Sequence, residues 1–177
     1  MSDLLRLVEP QIPALRRYAR ALTRDRSAAD DLVQDCLERA ITHWQQRRDD
    51  GSPRAWLFSI LHNLAMNRMS KASSQPRPVV LEEAGESALG RQAEQPDRLR
   101  HRDLLRGLEQ LSEAHRSALL LVSVEDLSYA EAARVLGVPM GTVMSRLSRA
   151  RERLAQMMDG EAVVEAPVNG SFLRRIK

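Results

Sequence analysis

The segment that most limits how this chain can fold runs from Ser128 to Leu147, where helix caps, small residues and a glycine fall in one fixed order. Ser128 stands where an N-cap is needed, and Ala132 and Ala133 are small enough for another helix to approach closely. Gly137 supplies a left-handed turn at little steric cost. A second helix opens near Pro139 or Gly141, buries Val143 and Leu147, and leaves Thr142, Ser145, Arg146 and Arg149 outward. This is the grammar of a helix-turn-helix, whose outward residues can reach a major groove. Arg146, Arg149, Arg151 and Arg153 are opposed within that helix only by Glu152, a local excess of positive charge suited to phosphates.

Upstream, apolar residues recur at helical spacing. Leu5, Val8, Ile12, Leu15, Ala19 and Leu22 mark a first helix, expected from about Pro13 to Thr23 because Pro10 and Pro13 start or kink it. Ser27 and Asp30 read as a capping box for a second helix. That helix turns Leu32 or Val33, Cys36 or Leu37, Ala40, Ile41 and Trp44 inward. Residues 46–51 hold no apolar side chain and read as a loop. Ser52 and Pro53 then cap and open a third helix, with Trp56, Leu57, Ile60, Leu61 and Leu64 on one side and Ser59, Asn63, Asn67 and Lys71 on another.

From about Ser73 to Pro96 the helical period is lost, and Pro76, Pro78, Gly85, Gly90 and Pro96 mark a linker. Beyond it, Leu104, Leu105, Leu108 and Leu111, then Ala118, Leu119 and Val122, mark two more helices, the second capped by Ser112. The fold expected is all-α: two small helical domains, 1–72 and 97–159, joined by a flexible linker over 73–96, the second carrying the helix-turn-helix. Residues 160–177 are expected to be a disordered tail. An aromatic fraction of 3% suits helical domains better than a β-sandwich.

Composition narrows the function. Net charge is only +3, yet the basic residues are arginine except for Lys71 and Lys177, a preference that suits bidentate recognition of phosphate and guanine and that a GC-rich genome also produces. Cys36 is the only cysteine, which excludes an intrachain disulfide and a C-x-x-C zinc or redox site; it reads as a core residue. His43, His62, His101 and His115 match no common metal spacing and read as surface or boundary residues. No phosphate-cradling glycine loop or framed nucleophile occurs, so neither an enzyme nor a cofactor is expected. No run approaches the ~18 apolar residues that span a bilayer, and no basic segment followed by an apolar core opens the chain, so a soluble, cytoplasmic protein without membrane insertion is expected.

With these residues in view, the chain resembles bacterial sigma factors of the extracytoplasmic-function (ECF) group of the sigma-70 family, the minimal kind with sigma regions 2 and 4 alone. Ala29 to Asp35 resembles the family's helix that docks on core RNA polymerase. Ser52 to Lys71, with Ala55-Trp56-Leu57-Phe58 and Asn63-Leu64-Ala65, resembles its segment for the minus-ten element, and Leu108 to Ala155 its domain for the minus-thirty-five element. The resemblance covers about Pro13 to Lys71 and Leu104 to Leu154.

It implies polymerase docking by Asp30, Asp31, Leu32, Gln34, Asp35 and Glu38. It implies minus-ten contacts by Arg54, Asn63, Asn67, Arg68 and Lys71, and minus-thirty-five contacts by Thr142, Met144, Ser145, Arg146, Arg149, Arg151 and Arg153. The partners implied are core RNA polymerase, promoter DNA and an anti-sigma factor. The chain departs from the family at Met144, where a basic residue is common, and in the loop before Ser52, which lacks an aromatic wall for a flipped base. A stand-alone operator-binding regulator would leave the first domain unexplained. A sigma-like protein that sequesters an anti-sigma factor carries, in this family, a receiver domain for which there is no room.

Overall fold

The computed structural model describes residues 6–46, 52–73 and 96–161. Within them the regular structure is helical: a 3₁₀ turn at Glu9–Gln11, then α1 (Ile12–Thr23), α2 (Arg26–His43), α3 (Pro53–Ser73), α4 (Pro96–Gln110), α5 (Glu113–Leu119), α6 (Tyr129–Leu136) and α7 (Met140–Glu161). The loop after Gln46, most of the expected linker and the tail beyond Glu161 lie outside the described residues.

Local chemistry explains most of the boundaries. Helix α1 ends where Arg24 turns left-handed at φ 59° and returns its N–H to the carbonyl of Arg20. The cap of α2 is Asp25, whose carboxylate accepts the N–H of Ala28 at 2.8 Å. Ser27, expected to be the cap, therefore lies inside the first turn; the aspartate two residues earlier takes the orphan donor. Ser52 caps α3 through the N–H of Ala55, and Ser112 caps α5 through that of His115. Ser128 and Glu131 form a reciprocal capping box at the start of α6, and Gly137 ends that helix at φ 63°.

Helices α1, α2 and α3 pack around Leu15, Tyr18, Leu32, Cys36, Leu57, Phe58 and Leu61, with the Tyr18 and Phe58 rings edge to face at 5.4 Å. Burial pushes the Cys36 thiol up to about 12, as suits an inert core thiol. One inward assignment fails: Ile41 is 56% exposed, and Leu105, one of the leucines that mark α4, is 48% exposed. Each lies at the edge of an apolar stripe, where helical phase alone does not decide the side. A smaller core of Leu111, Leu119, Leu147, Ala150 and Leu154 joins α4 and α5 to α7. At its edge, Gly107 gives Leu154 room, since a Cβ there would stand 2.8 Å from Leu154 Cδ2.

The two halves share their main core. Leu120, Leu121, Leu127, Ala132, Val135 and Val143 belong to the same apolar cluster as the residues of α1 to α3. Helix α3 packs on α6, and α1 meets α5. Arginines tie the halves as well: Arg24 donates to the carbonyl of Glu109, and Arg116, itself buried, donates to those of Leu111 and Ala21.

Candidate nucleic-acid and partner interfaces

Helix α2 presents its acidic residues unevenly. Asp31, Gln34 and Glu38 are exposed, and the Gln34 amide donates to Glu38 at 3.0 Å. Asp30 lies 3.6 Å from Arg16 and 3.8 Å from Arg20 across the groove to α1. Asp35 is bound by Arg68 of α3. The structure thus joins a residue expected to dock a protein partner with one expected to meet DNA, and neither is an isolated charge. Leu32 is fully buried, which removes it from any docking face: it is the apolar anchor beneath that face rather than part of it.

On α3, Asn63, Asn67 and Lys71 are exposed along one face. Beside Asn63 lies a cavity of about 350 Å³ lined by Arg39, His43, Gln46, Trp56, Ile60 and Asn63. Trp56 meets Trp44 edge to face at 5.9 Å, which holds the indole at the cavity wall. The loop sequence holds no aromatic residue, whereas α3 places one, Trp56, at this cavity. Only the fold reveals it, because Trp56 reads from its spacing as core and Arg39 and His43 belong to a different helix. This combination, an aromatic face with an asparagine amide and cations nearby, can stack and hydrogen-bond a single unpaired base.

Arg54, at the opening of α3, is differently placed from the other expected DNA contacts. Its guanidinium donates to Gln11 Oε1 at 2.6 Å and to the carbonyl of Glu125 at 2.9 Å, and lies 5.4 Å from the centre of the Phe58 ring. Glu125 is 1% exposed. It also receives both forks of Arg17, Nε to Oε1 at 2.8 Å and Nη2 to Oε2 at 2.7 Å, and that bond holds the Arg17 guanidinium above its ordinary value. Neither Arg17 nor Glu125 stands out in the sequence. A single glutamate between Val124 and Asp126 carries no spacing signal.

His62, expected at the surface or its boundary, is buried and pairs with the Tyr18 hydroxyl at 3.0 Å through Nδ1. Burial, and secondarily the charge of Arg146 from the other half, lower it to about 4, so it is neutral near pH 7.

In the helix-turn-helix, α7 exposes Met144, Ser145, Arg149, Arg151 and Arg153, while Thr142 and Arg146 are half-buried. The Ser145 hydroxyl is turned back onto the carbonyl of Thr142, and Arg151 reaches Ser123 Oγ at 3.3 Å. Arg149 and Arg153 are one helical turn apart. Among the described residues, no group of histidine, cysteine, aspartate and glutamate side chains could hold a metal ion, and no helix is long and apolar enough to cross a membrane.

Comparison with known proteins agrees with this geometry in both halves. Residues 8–62 match the family model of the Sigma2 domain of PhyR, and residues 101–154 that of sigma-70 region 4. The chain is 33% identical over 150 residues to the ECF RNA polymerase sigma factor EcfG of Rhodopseudomonas palustris, covering 83% of this chain and 80% of that protein. It is 34% identical over 164 residues to the RNA polymerase sigma factor HrpL of Pseudomonas syringae, covering 89% and 88%. Among solved structures, the sigma factor RpoE of Bartonella quintana, in complex with the anti-sigma factor NepR, superimposes with a TM-score of 0.70 at 30% identity, over 90% of this chain and 98% of that one. A chain whose two halves match sigma regions 2 and 4 in order, and whose relatives match it along most of their length, belongs to the ECF sigma factors of RNA polymerase, which act in transcription initiation.

Proposed function

We propose that this chain docks on core RNA polymerase through the exposed acidic face of α2, reads the minus-ten strand with α3, and reads the minus-thirty-five element with α7. Asp31, Gln34 and Glu38, with Asp30 and Asp35 beside them, carry the docking. Asn63 and Asn67 contact bases, and the cavity under Trp56 receives one flipped base. Arg68 and Lys71 hold backbone phosphates. Arg149, with Met144, Ser145, Thr142 and Arg146, faces base edges, and Arg151 and Arg153 follow the backbone as the helix leaves the groove. An anti-sigma factor controls the chain, in keeping with the NepR complex of the Bartonella quintana relative. The protein works in the cytoplasm and performs no chemistry of its own.

The observation that carries this reading is the pairing, in one chain, of an acidic helix face on the first half with a basic, outward-facing second helix of a helix-turn-helix on the other. Run-off transcription tests it: the purified chain with core polymerase on a library of promoter fragments. Transcripts starting at a common motif are expected; no start above core polymerase alone would refute the reading. Reversing Asp31 and Asp35 to lysine is expected to weaken association with core polymerase and to leave folding intact, since exposed ion pairs contribute at most about 1 kcal/mol. Unchanged polymerase binding at moderate salt would remove docking from this face.

A further inference from the structure

We infer that Arg17 and Arg54 form a phosphate-binding pair on the first half of the chain, and that Glu125 of the second half occupies this pair in the closed chain as an internal substitute for a DNA phosphate. The inference rests on the sigma-factor reading only for the identity of the nucleic acid.

Two guanidiniums from different helices converge on one carboxylate. Arg17 holds it through Nε and Nη2, and Arg54 adds Nη2 to Oε2 at 3.3 Å. A carboxylate gripped by both forks of an arginine presents two oxygens in the geometry in which a phosphodiester presents its own, so one anion can replace the other. The exposures are asymmetric: the side chains of Arg17 and Arg54 are 53% and 35% exposed, that of Glu125 only 1%. When the halves separate, the cations stay on the surface of the first half, whereas the carboxylate is what leaves.

Arg54 does not need Glu125 to stay in place, because Gln11 and the Phe58 ring already position it. It opens the same helix that carries Asn63, Asn67 and Lys71, but about half a turn around the axis from Asn63, so the pair would hold a phosphate on the other side of α3 from the asparagine face, toward Gln11 and α1. The carboxylate is also delivered by a built feature. After α5 the chain widens into a π turn, Leu120–Val124, closed by the N–H of Glu125 on the carbonyl of Leu120 at 2.9 Å. Asp126 then takes a left-handed φ of 51°. A π turn followed by a left-handed residue is a costly way to place one side chain, and such turns gather at functional positions. The halves therefore close when Glu125 neutralises the pair and open when a phosphate competes for it.

The test uses the full chain without polymerase, small-angle X-ray scattering, and a fluorescein-labelled duplex with a single-stranded segment. Glu125→Gln is expected to enlarge the free chain and to tighten DNA binding by about tenfold, because a closed chain binds in proportion to its open fraction. Adding R17A and R54A to E125Q is expected to return the affinity and to lower the slope of log K against log salt by about 1.4 to 1.8, two phosphates' worth. Lysine at both positions is expected to keep the slope. Should E125Q fold poorly in thermal melts, Arg17→Gln serves instead: it is expected to open the chain without any gain in DNA affinity. An E125Q chain that neither opens nor binds more tightly would overturn the inference, as would an unchanged salt slope in the triple variant. A chain inactive in run-off transcription that still shows the slope change would sink the proposed function and leave this pair standing.

Discussion

His62 shows how far a residue's behaviour departs from its type. In the unfolded chain it titrates near about 6.5, while in the folded chain burial, and then Arg146, hold it at about 4. Between those values the unfolded state takes up a proton that the folded state refuses. The folded state therefore loses stability as pH falls from about 6.5 toward 4, and above that window the residue contributes no pH dependence. Going from pH 7 to pH 5, the wild-type chain is expected to lose about 2 kcal/mol more than His62→Gln, from urea unfolding of both proteins. Equal losses would mean that His62 is accessible to protons in the native state.

At the scale of elements, α7 separates reading from attraction. Arg149 and Arg153 are both exposed and a turn apart, and the proposed function assigns the earlier residue to the groove and the later one to the backbone. Arg149→Ala is expected to cost on the order of 1 to 3 kcal/mol, concentrated on the preferred upstream element. Arg153→Ala is expected to weaken binding to all sequences alike and to flatten the salt dependence by about one phosphate. Binding to preferred and scrambled duplexes at several salt concentrations decides this. Equal losses on both duplexes for Arg149→Ala would reduce that residue to a phosphate contact.

For the whole molecule, closure is the main structural fact beyond the two sigma regions. The composition of the stretch from about Ser73 to Pro96 leads us to expect that brief proteolysis cuts there. The halves share an apolar cluster and are bridged by Arg17, Arg24, Arg54 and Arg116. Because an apolar cluster is not screened by salt, the cut fragments are expected to migrate together on a sizing column at low and at moderate salt alike. Fragments already apart at low salt would show that the closed arrangement is too weak to matter in the free chain.

Helical period and capping chemistry sufficed to place α1, α3, α5, α6 and α7, because caps and apolar stripes act over one or two turns and are written in neighbouring residues. The left-handed Gly137 and the burial of Val143 and Leu147 were legible for the same reason. What the sequence could not decide was every choice that depends on a second element. Ile41 and Leu105 face outward because the stripe edges they occupy find no partner helix, and Leu32 leaves the docking face because α1 and α3 cover it. Trp56 and Asn63 of α3 form a cavity only with Arg39 and His43 of α2. Glu125 meets Arg17 across 108 positions of chain. Such contacts arise from packing between segments far apart in sequence, and no local spacing encodes them.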